Sequence, residues 1–352
     1  MVEYRPWSIK VLNECNIDEK AGKIPALDLE LSAKCSAACC LYCDSKPLVC
    51  EKMQDGELTY NELEKLILNC KKNGLKWVYT CGLGEPLEDN KFWDMLNILK
   101  EYNIKLSMFS NGIFIDSLEK AKKLKECGVH IILKMDTFDE ENFDRVLNRH
   151  GAAKKIYAAR DFLIEAGYGK GDDGFTDLAF SIVPTQLSID GIPEVIRYCK
   201  EHNVFASIGE LEQAGNVLKG NISSLLTINE EQTLALKNFV DDYYQCSYAR
   251  PICPCILSGV HIDNLGNCVV DKLTGANCKW FLMKDPQTVI LGNIKDTPVE
   301  DLHQKAQEYR KNALETRLDE IKNVCSNTVC VFGGCGSKPE TVLNFALEIY
   351  EK

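Results

Sequence analysis

Strand-like and helix-like segments alternate through the first part of the chain, and this alternation limits the possible folds more than any other feature. Six short runs rich in apolar, β-branched and aromatic residues are separated by segments with apolar residues at helical spacing. The runs are Ala26 to Ser32, Trp77 to Cys81, Lys105 to Phe109, Val129 to Met135, Leu178 to Val183 and Phe205 to Ile208. Such repeated strand-helix units form parallel sheets. The pattern therefore predicts an α/β domain, layered or barrel-shaped, that ends near residue 215.

Two of the intervening segments begin with the pattern of a capping box. In this motif a hydroxyl and a carboxylate three residues apart satisfy the free backbone amides at a helix start. Thr59 with Glu62 and Thr227 with Glu230 have this spacing. The sequence therefore predicts helix starts at both places.

Four cysteines lie within nine residues directly after the first run: Cys35, Cys39, Cys40 and Cys43. Thiolates at short spacing on one loop are the usual ligands of an iron-sulfur cluster. Zinc is the alternative metal, and it would close a tetrahedral site with four cysteines or with three cysteines and a histidine. The loop is therefore predicted to be a metal site.

The chain has 18 cysteines in total and no apolar signal core at its start. Disulfides are rare in reducing compartments, so metal binding explains this count better. Some of the cysteines fit the simpler role of small buried hydrophobic residues. These are Cys15, Cys50, Cys70, Cys127 and Cys199.

Length and charge restrict the partners of the protein. The 352 residues allow one large domain and a smaller one. A net charge of -11 disfavours nucleic acid, because binding to phosphate backbones needs a basic face. No apolar run is long enough to predict a membrane span. We therefore expect a cytoplasmic protein without nucleic acid or membrane partners.

The segment from Leu29 to Cys43 resembles the signature of the radical S-adenosylmethionine (radical SAM) superfamily, in which three cysteines follow the first strand and an aromatic residue precedes the last cysteine. The usual pattern has three and then two residues between the ligands, and here one residue is extra. Cys35 and Cys43 fit either alignment, with Tyr42 as the aromatic residue, and the middle ligand is Cys39 or Cys40. The resemblance implies a partial six-stranded barrel whose first cluster holds S-adenosylmethionine on an open iron.

Later strand ends carry further family-like motifs. The turn after the second run resembles the glycine-glycine-glutamate-proline segment that holds the amino end of the cofactor, although by itself it is an ordinary strand-to-loop turn. The third run ends in a serine-asparagine-glycine motif, and polar groups at the end of the fourth contact the cofactor ribose or the substrate in relatives. Ser181 on the fifth run and Glu210 after the sixth are placed by position alone. Asn111 equally fits a turn, and Lys134 and Asp136 equally fit a solvated strand end. The residues implied in cofactor binding are Tyr42, Gly82, Gly84, Glu85, Pro86, Ser110, Asn111, Asp136 and Ser181, with Lys134 and Glu210 as weaker candidates; Cys35, Cys43 and Asp136 are the implied catalytic residues.

A second group of cysteines begins at Cys246. The region resembles the SPASM/twitch extension of radical SAM enzymes, through a hairpin-like segment from Val260 to Cys268, the run Leu291 to Ile294 before a helix, and the late cysteines. That extension carries one or two auxiliary [4Fe-4S] clusters. The spacing here departs from the usual pattern at Gly266 and among the late cysteines, and a zinc ribbon is the alternative. The candidate ligands are Cys246, Cys253, Cys255, Cys268, Cys278, Cys325, Cys330 and Cys335.

The resemblance also implies a domain division and a reaction type. The predicted parts are an N-terminal extension (1–25), the barrel (26–220), a linker helix (221–245), the auxiliary cluster domain (246–340) and a C-terminal helix (341–352). Relatives cleave S-adenosylmethionine reductively to a 5'-deoxyadenosyl radical, which takes a hydrogen atom from a peptide side chain or a small metabolite and leads to oxidation, epimerisation or crosslinking. They receive electrons from donors such as flavodoxin or ferredoxin. A non-enzymatic iron-sulfur electron carrier and a zinc-binding protein are the alternatives.

Overall fold

The computed structural model describes most of the barrel region and parts of the remainder. The described residues are 5–6, 14–15, 17–36, 40–43, 55–80, 83–169, 175–209, 211, 216–217, 223–244, 258–272 and 288–327.

The described strands form one large sheet and one small one. The strands are β1 (Arg5–Pro6), β2 (Ala26–Leu29), β3 (Trp77–Thr80), β4 (Lys105–Ser110), β5 (Val129–Lys134), β6 (Phe175–Thr176), β7 (Leu178–Ile182), β8 (Phe205–Ile208), β9 (Val260–Ile262), β10 (Asn267–Asp271) and β11 (Thr288–Asn293). The large sheet has the order β11-β10-β9-β2-β3-β4-β5-β7-β8, and β1 pairs with β6 in the small sheet. The strands β2, β3, β4, β5, β7 and β8 are parallel to their neighbours, as the alternating pattern predicts.

The described helices connect these parallel strands and then continue towards the C-terminus. They are α1 (Tyr60–Lys72), α2 (Phe92–Glu101), α3 (Leu118–Glu126), α4 (Glu140–Leu147), α5 (Ala152–Glu165), α6 (Ile192–His202), α7 (Ser223–Leu226), α8 (Glu230–Tyr244) and α9 (Val299–Asn327, with non-helical backbone at Arg317). Among the described helices, none has both the length and the apolar character needed to cross a membrane.

The two faces of the sheet are buried in different ways. Leu27 and Leu29 of β2 belong to a large core that includes buried residues of the surrounding helices, such as Leu63 of α1. Ala26, at the alternate position, belongs to a second cluster with Trp77 and other strand residues. Because successive side chains of a strand point to opposite faces, the first set faces the helix layer and the second set faces the inside of the curved sheet.

One predicted capping box is confirmed and the other is wrong. The Thr59 hydroxyl accepts from the Glu62 amide, and the Glu62 carboxylate accepts from the Thr59 amide at 2.8 Å. Helix α8 is instead capped by Asn229, whose side chain accepts from the amide of Gln232 at 2.8 Å while Gln232 accepts from the Asn229 amide at 3.0 Å. Asn229 and Gln232 form the reciprocal bonds of the motif, each two residues after the predicted position. Thr227 and Glu230 therefore do not form it.

The predicted hairpin-like segment is the pair β9 and β10, and it extends the large sheet. Val260 to Ile262 of β9 pair in parallel with Leu27 to Leu29 of β2, and β10 runs antiparallel to both β9 and β11. Helix α9 then packs behind this edge, where His303 contacts the buried Glu19 carboxylate at 3.0 Å. The C-terminal segment is therefore joined directly to the first strand of the barrel.

The cysteines predicted to be small buried hydrophobic residues occupy such positions wherever they are described. Cys15, Cys70, Cys127 and Cys199 are at most 7% exposed. Burial raises the pKa of the Cys15 thiol to about 12, which keeps it protonated. Cys50 lies outside the described residues.

Candidate functional site

The predicted metal loop follows the carboxyl end of β2. In barrels of parallel strands, the active-site residues lie at this edge of the sheet. Cys35, Cys40 and Cys43 are half-buried, and Cys35, Cys40 and Tyr42 pack against the large core. Cys39, the other candidate for the middle ligand, lies outside the described residues. The structure therefore supports a three-cysteine loop at the predicted edge and leaves the choice between Cys39 and Cys40 open.

Distant residues fix the backbone of this loop. The Ser36 amide donates to Glu88 Oε1 at 2.7 Å, and Arg149 Nη1 donates to the Ser36 carbonyl at 3.0 Å. Farther along the loop, the Asn216 side chain donates to the Cys40 carbonyl at 2.8 Å, and the Asn216 amide donates to the Cys43 carbonyl at 2.9 Å. The loop is thus positioned by three other segments of the chain.

A further contact ties the start of the loop to the C-terminal hairpin. Glu57 Oε1 accepts from the Ala33 amide at 2.9 Å, from the Ser32 hydroxyl at 3.3 Å and from Asn264 Nδ2 at 3.1 Å. Asn264 lies between β9 and β10, so one buried carboxylate joins the hairpin to the segment before Cys35. Sequence reasoning missed Glu57, Arg149 and Asn216 because they lie in no recognisable motif.

The glycine-rich turn after β3 packs directly on the segment that precedes Cys35. Gly84 has a φ of +71°, and a Cβ at this position would lie 2.1 Å from the Ser32 carbonyl oxygen and 2.8 Å from that of Lys34. The next amide, from Glu85, donates to the Lys34 carbonyl at 2.8 Å. Glycine is required here because the two loops approach each other at backbone distance. Gly82, the other glycine of the predicted motif, lies outside the described residues.

Glu85 links the second and third strand ends. Its side chain is buried, with Oε1 accepting from the Ser110 hydroxyl at 2.8 Å and Oε2 accepting from the Asn111 amide at 2.7 Å. Pro86 begins the short 3-10 helix that follows. The Asn111 side chain lies 3.9 Å from Cys35 Sγ, so the predicted motifs after β3 and β4 meet at the first cysteine.

Burial raises the pKa of the Glu85 carboxyl from 4.5 to about 7, although hydrogen bonds from Asn111, Ser110 and Leu87 favour its charged form. Between pH 4.5 and about pH 7, Glu85 is therefore protonated in the native protein, whereas the same group has lost its proton in the unfolded chain. Stability from this group is lost as the pH rises through that window. The charged carboxylate at high pH is the less stable form in the protein without ligand.

We expect Glu85→Gln to remove this pH dependence. Relative to wild type, the variant should gain about 2.5 kcal/mol in the free energy of unfolding between pH 5 and pH 8, because glutamine has no charge to bury. Urea unfolding of the iron-free protein at both pH values measures the change, with the exposed Glu101→Gln as the control. If the free energies of unfolding of wild type and Glu85→Gln differed by the same amount at pH 5 and at pH 8, the expectation would be contradicted.

The predicted residues after β5 and β7 form a second polar group. The Tyr42 hydroxyl donates to Asp136 Oδ2, Lys134 Nζ lies 2.6 Å from Asp136 Oδ1, and the Val183 amide donates to the same oxygen at 2.8 Å. Lys134 Nζ also lies 4.4 Å from the centroid of the Tyr42 ring. Burial raises the pKa of the Asp136 carboxyl even though Lys134 favours its charge. Ser181 is the register partner of Lys134 on β7. The aromatic residue before Cys43 is therefore anchored to the end of β5.

Most of the predicted late ligands lie outside the described residues, as does Glu210. These are Cys246, Cys253, Cys255, Cys278, Cys330 and Cys335. Cys325 lies within α9. Cys268 is fully buried in β10 against the large core, and burial raises the pKa of its thiol to about 11.

The described residues include no closed site for a single metal ion. Among them, no three histidine, cysteine, aspartate or glutamate side chains converge on one ion, as a closed zinc site requires. A cluster instead takes each thiolate on a separate iron, so its ligands stand farther apart. Cys35, Cys40 and Cys43 are the described thiols of the loop to which the family resemblance assigns a cluster.

Comparison with known proteins adds sequence relatives and structural neighbours. No family model matches the chain. It is 23% identical over 292 residues to a probable GTP 3',8-cyclase of Methanococcus maripaludis, covering 78% of this chain and 91% of that one. It is also 23% identical over 189 residues to the mycofactocin maturase MftC of Mycolicibacterium smegmatis, covering 54% of this chain and 45% of the relative.

Among solved structures, SuiB of Streptococcus suis bound to S-adenosylmethionine has the same fold. It superposes with a TM-score of 0.59 at 17% identity, covering 89% of this chain and 73% of SuiB. SuiB bound to its precursor peptide SuiA gives a TM-score of 0.58. The parallel sheet, the cysteine loop at its carboxyl edge and these similarities agree with the resemblance to the radical SAM superfamily.

Proposed function

We propose that this protein binds a [4Fe-4S] cluster and S-adenosylmethionine at the carboxyl edge of its sheet and abstracts a hydrogen atom from an organic substrate. The observation that carries the proposal is the meeting of Cys35, Asn111 and Glu85. The Asn111 amide donates to Glu85 at 2.7 Å while its side chain reaches Cys35 Sγ at 3.9 Å. A cysteine loop, a cofactor-type turn and a polar strand end thus share one small region.

Cys35, Cys43 and either Cys39 or Cys40 hold the cluster in this proposal. The cluster with its bound S-adenosylmethionine supplies a 5'-deoxyadenosyl radical after one-electron reduction. Gly84 lets the turn after β3 pack directly on the segment that leads into the cysteine loop, and Glu85 offers a buried carboxylate to the amino end of the cofactor. A protonated amino group would stabilise the charged form of that carboxylate, offsetting its desolvation.

The residues after β4, β5 and β7 orient the cofactor and exclude water. Ser110 and Asn111 hold the two oxygens of Glu85 in place. Tyr42 is fixed by Asp136, and its ring lies beside the last cysteine of the loop. Lys134 and Ser181 are neighbours on the inner face and are available to polar groups of the cofactor or substrate. A rigid first contact layer of this kind keeps a reactive intermediate away from solvent.

The C-terminal region completes the proposed enzyme. We assign residues 246–340 to a SPASM/twitch-like domain with one or two auxiliary clusters, preceded by the barrel and by a linker that includes α7 and α8. The hairpin β9-β10 joins this region to the barrel through β2. A flavodoxin or ferredoxin supplies the electron.

The substrate is a peptide or a small metabolite. SuiB is seen with its precursor peptide SuiA, and MftC is named as a maturase, which favours a peptide. The probable GTP 3',8-cyclases, which are named for a nucleotide substrate, favour a small metabolite. The outcome of the reaction is oxidation, epimerisation or crosslinking.

Cleavage of S-adenosylmethionine tests this proposal. The full chain is reconstituted anaerobically with iron and sulfide, reduced with dithionite and incubated with S-adenosylmethionine, and 5'-deoxyadenosine is measured by mass spectrometry. We expect the product only after reconstitution and only with reductant, together with a visible absorbance band of the cluster. An iron-loaded protein that leaves S-adenosylmethionine intact would favour an electron carrier, and bound zinc without iron would favour a zinc protein.

A further inference from the structure

Three ionisable side chains are buried together on the inner face of the sheet, at the junction of β2 with β9. Asp28 and Glu30 are each 4% exposed and His261 is 3% exposed. His261 Nδ1 lies 2.8 Å from Asp28 Oδ2, and His261 Nε2 lies 3.6 Å from Glu30 Oε1. None of the three belongs to the cysteine loop or to the motifs after the later strands.

Strand parity places this group inside the curved sheet. Asp28 is two residues from Ala26, which packs with Trp77 and Tyr79 in the inner cluster. Asp28 is the register partner of both Tyr79 on β3 and His261 on β9. The intervening residues Leu27 and Leu29 face the helix layer instead. The three ionisable groups therefore point away from the helices.

The inner face carries polar residues near them, beside the apolar cluster of Ala26, Trp77 and Tyr79. Branched aliphatic side chains usually fill the interior of a closed barrel. Here the same face carries Ser107 and His130, which continue the register line from Asp28 and Tyr79. A few polar groups on a largely apolar face suit a pocket that binds a polar molecule.

One buried oxygen of the group, Asp28 Oδ1, lacks a hydrogen-bond donor within the described part of the chain. Asp28 Oδ1 is buried and has no hydrogen-bond partner among the described residues, while Oδ2 of the same carboxylate is held by His261. Buried charged oxygens are normally satisfied, because their desolvation is otherwise not recovered. The free oxygen therefore marks a place for a hydrogen-bond donor.

The chemistry of the group selects the class of donor. Asp28 Oδ1 is a carboxylate oxygen, and carboxylates make their stronger hydrogen bonds with charged donors, so a cation is favoured over a neutral donor. No three described metal-ligating side chains converge on one ion, which disfavours a metal. A protonated amine supplies both the positive charge and the hydrogen bonds.

We propose that Asp28, Glu30 and His261 form a subsite that binds a protonated amino group of the substrate, with Asp28 Oδ1 as its main acceptor. The inference rests on the proposed function, since it takes the inner face of the sheet as the substrate cavity. Glu30 precedes Cys35 by five residues on the same segment, so an amine held here enters at the strand that leads into the cysteine loop.

Binding of a simple amine tests the subsite without knowledge of the substrate. The probe is n-butylammonium, with 1-butanol as its neutral counterpart, and binding to the reconstituted full chain is followed by ligand-observed NMR. We expect n-butylammonium to bind and 1-butanol to bind much more weakly. Asp28→Asn should weaken binding of the cation about tenfold or more, because a charged acceptor is lost. The matched control is Asp116→Asn, whose side chain is 60% exposed and paired with Lys120 on the surface.

The outcomes separate this inference from the proposed function. Each sample is also assayed for 5'-deoxyadenosine. If the wild type cleaves S-adenosylmethionine but binds n-butylammonium no better than Asp28→Asn does, the subsite is wrong and the proposed function stands. Selective binding through Asp28 without cleavage would support a cation site and overturn the proposed function. If Asp28→Asn does not fold, Glu30→Gln replaces it, and unchanged binding by that variant overturns the subsite.

Discussion

Replacing Cys43 by alanine is expected to abolish both iron-sulfur cluster formation and cleavage of S-adenosylmethionine. Changes in the outer partners of a metal site typically cost roughly 10- to 100-fold in affinity or activity, so loss of a ligand should exceed about 100-fold. The substitution leaves the loop backbone free to keep its contacts, since the Cys43 carbonyl accepts from Asn216 and its amide donates to the Cys40 carbonyl at 3.2 Å. Iron content, the visible absorbance band and the yield of 5'-deoxyadenosine measure the effect.

The matched control is Cys127→Ala. Cys127 is 7% exposed, caps the end of α3 and belongs to the helix-facing core, so its removal changes one thiol without touching the cysteine loop. The control should bind iron and form 5'-deoxyadenosine as the wild type does. Full activity in Cys43→Ala would show that the thiol is not a ligand.

The same assay assigns the middle ligand. Of Cys39→Ala and Cys40→Ala, one should behave like Cys43→Ala and the other like Cys127→Ala, because only three thiolates leave one iron open for S-adenosylmethionine. Loss of activity in both variants would point to a loop in which the extra cysteine is also needed. Retention of activity in both would contradict ligation by either residue.

The sequence predicts the barrel well because its strands are buried on both faces. Runs such as Val129 to Met135 are largely apolar, and the observed β5 (Val129–Lys134) lies within this one. The positions of Glu85 and Asn111 at neighbouring strand ends follow from the same parallel order. Local pattern is sufficient here because each motif directly follows its own strand.

Contacts between distant segments could not be predicted in this way. The hairpin β9-β10 is visible as a turn between apolar residues, but its pairing with β2 depends on the assembled sheet. Glu57 satisfies Ala33 and Asn264 at once, and neither partner is near it in sequence. Asn216 holds the cysteine loop from a segment without secondary-structure periodicity. Such contacts are set by strand register and loop path, which a single sequence does not encode locally.

Gly84→Ala is expected to displace the cysteine loop and to lower stability by at least about 3 kcal/mol. The left-handed backbone alone costs an alanine about 1 to 2 kcal/mol. The added Cβ would also lie 2.1 Å from the Ser32 carbonyl oxygen and 2.8 Å from that of Lys34, and backbone atoms of this kind cannot rotate away. The segment that leads into Cys35 must therefore move, and iron incorporation should fall with it.

Gly151→Ala separates the clash from the backbone strain. Gly151 has a φ of +74°, close to the +71° of Gly84, and a Cβ added there would meet no atom within 4 Å beyond its chain neighbours. This variant should lose only about 1 to 2 kcal/mol and keep normal iron content. Urea unfolding of the iron-free proteins gives the stabilities, and iron analysis after reconstitution gives the effect on the loop. Equal losses in the two variants would mean that the turn after β3 does not press on the cysteine loop, and the link from Gly84 to Cys35 would then have to be abandoned.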